Sequence, residues 1–177
     1  VPALVFLQGE IMDVQAQEFA QLQKVADLVE EIKFAMLTTE EPDGTLRSRP
    51  MATMQMDAAG NLWFFAALSS HKIGEVEQHH RVNLSYARLD KQDYLSVSGT
   101  CEILHDKEKM RSLWTPWIKP WFPKGLDDPD LVLLKVTITE AEYWTAPGSA
   151  VVRLYGLAKG MLTGNTDALG DHRKVVM

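Results

Sequence analysis

Cysteine is nearly missing from this chain: Cys101 is the single one in 177 residues. An internal disulfide is therefore excluded and nothing calls for an oxidising compartment. Cys101 is expected to pack within a strand as a small hydrophobe. Long apolar runs are missing as well, since none reaches the roughly eighteen residues a membrane-crossing helix needs. Val1 to Leu7 is apolar but short, and it lacks the basic flank of a secretion signal. No membrane partner is expected, and a cytoplasmic home is. Positive charge is in deficit: the formal net charge of −6 argues against nucleic acid as a partner, because phosphate neutralisation needs a basic surface. Any anion site must be local.

Several signatures of chemistry are also lacking. Neither a Gly-x-Ser-x-Gly elbow, a Gly-x-Gly-x-x-Gly turn nor a Walker-type loop is present, which removes the usual marks of serine hydrolases, dinucleotide-binding Rossmann enzymes and P-loop NTPases. Metal-ligand spacing is absent too. His79 and His80 are adjacent and would diverge by about 100° on a helix, while His71, His105 and His172 are scattered. Asp127-Asp128-Pro129-Asp130 lacks the glycine turn and distal glutamate of an EF-hand and is expected to cap a turn. No metal is expected.

What the chain does have is enough apolar residue, 46%, for one well-buried core. Phe19, Leu22, Val25, Ala26, Val29 and Ile32 recur at steps of three and four, which predicts an amphipathic helix from Val14 to Lys33 lying over a sheet. Phe34 to Thr39 reads as a strand closed by Glu41-Pro42-Asp43-Gly44, and Thr45 to Met56 as its partner, closed by Asp57-Ala58-Ala59-Gly60. Further strands are expected at Asn61 to Ala67, Val82 to Ala87, Tyr94 to Leu104 and Leu131 to Thr139. Helices are expected from Ser69 to His79, from Asp106 to Trp114 and over Ala150 to Thr163, the last weakened by Gly156 and Gly160.

Short turns between strands, with helices inserted at intervals, favour a closed antiparallel barrel with helices outside it, a mainly β class. With no repeat and no Gly/Ser linker, one domain over 12–164 is the economical division. Residues 1–11 are set aside because Leu4-Val5-Phe6-Leu7-Gln8-Gly9 is similar to a viral protease site used in expression vectors. Residues 165–177 are expected to form a mobile or partner-docked tail.

Two stretches carry candidate chemistry. Arg47 and Arg49 leave the same face of an extended segment, so they are either solvated or share one polyanion. Pro50 beside them implies an edge, a bulge or a ligand-lined gap. Ser69 or Ser70 can cap the helix that begins near Lys72. That run is either an ordinary cap or an anion site in which helix N–H groups, the macrodipole and Lys72 act together. Trp114, Trp117, Trp121 and Phe122 crowd a loop broken by Pro116, Pro120 and Pro123. The loop is a minicore, a wall for a ring ligand, or an interface patch.

Taken in order, Arg47-Ser48-Arg49-Pro50-Met51-Ala52, Trp63-Phe64-Phe65-Ala66 and Ser69-Ser70-His71-Lys72 resemble the cofactor half of the pyridoxamine-phosphate-oxidase-like FMN-binding split barrels. The nearest likeness is to their general stress protein 26 branch. The resemblance spans Phe34 to Trp144 and takes in Tyr94-Leu95-Ser96-Val97-Ser98-Gly99, Lys119 to Asp130 and Glu142-Tyr143-Trp144. It implies an FMN cofactor, with FAD as the alternative, held at the interface of a homodimer.

Carried over by position, the resemblance gives Arg49 a place at the start of the cofactor strand and has Pro50, Met51 and Ala52 line the ring edge. Phe64, Phe65 and Ala66 flank the flavin. Ser69, Ser70 and Lys72 grip the phosphate, His71 standing where relatives often carry arginine. Arg47 is a further phosphate contact, Tyr94 a contribution of the second subunit and Trp144 a neighbour of the cofactor. Met54 falls where the oxidases acting on pyridoxine phosphate place a substrate lysine, and Arg153-Leu154-Tyr155 does not reproduce their basic C-terminal run. That activity is therefore disfavoured. The implied function is a flavin-dependent oxidoreductase acting on a small molecule or NAD(P)H, with a non-catalytic flavin-sequestering stress protein as the alternative. No residue stands out as a proton donor, so the catalytic residue is unknown. A haem-binding barrel would want an axial histidine, and the histidines look peripheral.

Overall fold

The computed structural model describes residues 19–146 and 171–176. Helix α1 (residues 19–32) buries Val25, Leu28 and Val29, the positions its spacing put on one face. Its expected start at Val14 lies outside the described residues. Phe19, expected on the buried face, is 69% exposed, because it sits about 9 Å along the axis ahead of Val25, the first fully buried position. The helix ends at Lys33, whose φ of 65° lets its N–H close on Val29 O at 2.9 Å.

Strands β1 (Phe34–Glu40) and β2 (Leu46–Ala52) form the expected hairpin, registered with Leu37 opposite Arg49. Its turn is set by Asp43, whose carboxylate accepts from Thr45 N–H, and by Gly44 at φ 84°. The expected strand Thr45 to Met56 is in fact two. Thr53 donates its N–H to Lys33 O at 2.7 Å and Met54 to Trp63 O at 2.8 Å. The chain thus leaves β1 and crosses to a new neighbour within two residues, giving the short β3 (Gln55–Met56) beside β4 (Asn61–Ala67). Asp57 and Gly60 close that second turn as expected, Asp57 also accepting from the Trp63 indole at 2.8 Å.

After helix α2 (His71–Gln78) come β5 (Arg81–Arg88), β6 (Asp93–Leu104), helix α3 (Lys107–Leu113), two 3-10 turns (Pro116–Ile118 and Gly125–Asp127) and β7 (Leu131–Thr145). β7 runs past its expected end at Thr139, because Ala141 and Tyr143 stay buried between the outward Glu140 and Glu142 and keep the two-residue period going. Residues 171–176, expected in a tail, instead form β8 (Asp171–Val176) on the outer half of β7, with Val175 in the core. The helix expected over Ala150 to Thr163 lies outside the described residues.

The antiparallel sheet runs β2-β1-β5-β6-β7-β4-β3. Its two outermost strands, β2 and β3, are joined by only Thr53 and Met54, so the sheet must curl until its ends nearly meet. The result is a half-barrel with three helices among the described residues. Leu62, Phe64, Leu84, Val97 and Leu134 fill its inside against α1 and α2. A second cluster on the opposite face of β4 and β7 joins Trp63, Leu131 and Leu133 to Met110, Leu113, Ile118 and Phe122. Those two strands are thus covered on both sides. No helix among the described residues is long and apolar enough to cross a membrane.

Candidate functional site

Where the curl brings β2 opposite β4, a cleft of about 370 Å³ opens, within the range of small-molecule sites. One wall is Pro50, Met51 and Ala52 of β2; the other is Phe65, Ala66 and Ala67 of β4. Phe34, Trp117, Trp121 and Phe122 close the rim, and Lys72 of α2 stands at one end. Pro50 is tolerated because β2 is an edge strand and needs no ladder bond on its outer side. A second cleft of about 590 Å³ adjoins the first and shares Phe34, Ala52, Met54 and Trp117 with it.

The Trp and Pro loop divides its duties. Ile118 and Phe122 are buried in the second core cluster, with Trp114 packed against it. Trp117 and Trp121 stand exposed, edge to face at 5.8 Å. The minicore reading therefore holds for Ile118, Phe122 and Trp114, while Trp117 and Trp121 line the cleft.

Lys72 is half-buried and makes no hydrogen bond or ion pair among the described residues. Burial, and then the charge of Arg49, hold its ammonium below the usual lysine range, while Glu75 and Asp130 pull the other way. Arg49, two positions from Arg47 on the same face of β2, is already engaged. Its guanidinium meets the buried carboxylate of Glu75 at 2.7 Å and also donates to the Thr39 hydroxyl. Arg47 is exposed and pairs with Glu41 at 2.8 Å.

The expected hydroxyl cap on α2 does not form. Ser70 occupies the cap position but makes no side-chain cap bond, its hydroxyl donating instead to Ala67 O at 2.6 Å. Ser69 gives its N–H and its hydroxyl to the Asp130 carboxylate, at 2.7 and 2.8 Å. Among the phosphate candidates, Lys72 alone therefore lines the cleft.

Phe64 is fully buried inside the barrel, so strand alternation turns its side chain away from the cleft that Phe65 lines. Tyr94 and Trp144 face each other across β6 and β7 and line neither cleft. Register runs from Trp144 to Tyr94, from Leu95 to Tyr86 and from Tyr86 to Ala35, so the pair stands a few strands across the sheet from Phe34. Trp144 stacks on His172 of β8 with ring centroids 5.0 Å apart. Six of the thirteen expected residues thus meet at one cleft: Pro50, Met51, Ala52, Phe65, Ala66 and Lys72.

Two carboxylates that act on Lys72 escaped the sequence reading. Glu75 announced itself only as an acid between Ile73 and Val76 on the buried face of α2. Asp130 was legible as a turn former, and its neighbour Asp128 does accept its N–H. Its bond to a serine sixty-one residues away had no local signal.

A profile of the pyridoxamine 5'-phosphate oxidase like family matches residues 20–168. The protein bli-3 of Neurospora crassa is 28% identical over 166 residues, covering 86% of this chain and 79% of that one. Among solved structures, a general stress protein 26 candidate from Jannaschia sp. CCS1 superposes with a TM-score of 0.72 at 28% identity, over 89% of this chain and 99% of its own. The general stress FMN/FAD binding protein of Xanthomonas citri superposes with a TM-score of 0.63 at 26% identity, over 71% and 89%.

Proposed function

The chain belongs to the pyridoxamine 5'-phosphate oxidase like family, and from that premise we propose that it binds a flavin, FMN before FAD, and works as a flavin-dependent oxidoreductase on a small molecule or NAD(P)H. The observation that carries the reading is the meeting of two apolar walls, Pro50–Ala52 and Phe65–Ala67, with Lys72, which has no ion-pair partner among the described residues. An isoalloxazine ring suits the walls and a phosphate suits the cation. A bound flavin supplies hydride or electron transfer. The protein's part is to hold the ring against the β2 edge, to exclude water with Phe34 and Trp117, and to keep Lys72 on the phosphate. The adjoining cleft gives a second molecule room beside the same walls, which favours turnover over sequestration.

Tyr94 and Trp144 line neither cleft of their own chain and enter this reading from a second copy. A homodimer with the flavin between subunits is therefore part of the proposal, and exposed Phe34, Trp117 and Trp121 are the apolar surface it would cover. A cytoplasmic setting goes with it and suits the free, buried Cys101. The test is an absorption spectrum of the purified protein before and after FMN is added, with size-exclusion chromatography alongside. Flavin bands that travel with a dimer-sized peak support the reading. A colourless protein that refuses FMN overturns it.

A further inference from the structure

The cation end of the cleft is electrically balanced before any ligand arrives. Lys72 and Arg49 supply two positive charges, and Glu75 and Asp130, the two carboxylates that act on Lys72, supply two negative ones. Ser69 has an N–H and a hydroxyl suited to a phosphate, yet both go to the Asp130 carboxylate. That carboxylate is held in place from its own backbone as well. Asp130 O accepts from Leu68 N–H at 2.7 Å, and Asp130 N–H donates to Asp128 at 3.1 Å. A phosphate monoester near neutrality carries between one and two negative charges, and here it must approach beside a fixed anion that already holds its donors.

Resting on the flavin reading above, we propose that Asp130 is a specificity-determining residue of the cofactor site. It occupies the Ser69 donors three residues ahead of Lys72 and opposes the phosphate charge, so the ring contributes most of the flavin's affinity. A flavin without a phosphate does not feel Asp130. FMN does, and the difference between the two is what Asp130 sets.

The test compares FMN with riboflavin, their dissociation constants measured by flavin fluorescence on the wild type and on Asp130→Asn. Asparagine keeps an acceptor for Ser69 N–H and drops the charge. The expected result is FMN bound on the order of tenfold more tightly, with riboflavin changed by less than about twofold. Should Asp130→Asn fail to fold in a parallel melt, Asp130→Ser removes the same charge and is judged by the same ratio. FMN affinity unchanged or weakened in a folded variant, or both flavins moved alike, overturns the role of Asp130 and leaves the flavin reading standing. Failure of the wild type to bind either flavin overturns that reading and this proposal together.

Discussion

Lys72 and Arg49 are both cations beside one cleft, but their surroundings give them separate tasks. Arg49 compensates Glu75, a carboxylate only 5% exposed. Arg49→Ala strands that charge in the interior and is expected to cost about 3–5 kcal/mol, read as a fall in the urea midpoint. Wild-type stability in that variant would show that the pair is idle. Lys72 makes no ion pair or hydrogen bond within the described residues, so Lys72→Ala should leave the urea curve close to wild type. It should raise the FMN dissociation constant by about tenfold or more, the weight of one charge-assisted contact, while riboflavin binding stays put. Equal losses for both flavins would place Lys72 at the ring and not at the phosphate.

Helix α2 is tied to β1 and β2 through Glu75, and that tie is sensitive to acid. Burial pushes the Glu75 carboxyl up, but hydrogen bonds from Thr39 and Arg49 and the charges of Arg49 and Arg47 outweigh it and hold it below the ordinary 4.5. A folded-state value below the unfolded one means that the stabilisation is complete above the unfolded value and is lost as pH falls through it towards the folded one. The melting temperature is therefore expected to drop below about pH 4.5, and Glu75→Gln to lower it at neutral pH while flattening the acid limb. β6 meets β7 through a bulge at Ser98 and Gly99, where a Cβ on Gly99 would lie 2.4 Å from Thr137 O. Gly99→Ala must push two strands apart, for about 3 kcal/mol, measured as a lower denaturant midpoint at unchanged slope. The hairpins were legible in the sequence because Asp43 with Gly44, and Asp57 with Gly60, carry their turn chemistry locally. Pro50 was legible as an edge, bulge or ligand-lined gap, and β2 is an edge strand; Phe64 and Phe65 came only with the family resemblance, and of the two Phe65 alone lines the cleft. The split of Thr45 to Met56 was not legible, because the carbonyls that redirect it, Lys33 O and Trp63 O, belong to other elements. The serine cap failed for a local reason at Ser70, whose hydroxyl donates to Ala67 O, and for a distant one at Ser69, which Asp130 engages.

Tyr94 and Trp144 line neither cleft of their own chain, and in the homodimer proposed above a second copy brings them to the flavin. Trp144→Ala should then weaken FMN binding although it alters no residue lining its own chain's clefts. Refolding Trp144→Ala together with Lys72→Ala should restore one intact site in each mixed dimer, detected as flavin that neither variant retains alone. No recovery on mixing would mean that each subunit builds its site by itself. β7 also governs how the molecule is made. It pairs with β6 along one side and with β4 and β8 along the other, yet it is among the last strands to be synthesised. β4 is complete at Ala67 and waits for β7, which ends at Thr145, with only two-residue β3 beside it. At ordinary rates of translation that wait is about 4–16 s, during which Leu62 and Phe64 have no sheet to enter. The nascent chain is thus most exposed to mispairing, and most in need of a chaperone, between those two points on the ribosome.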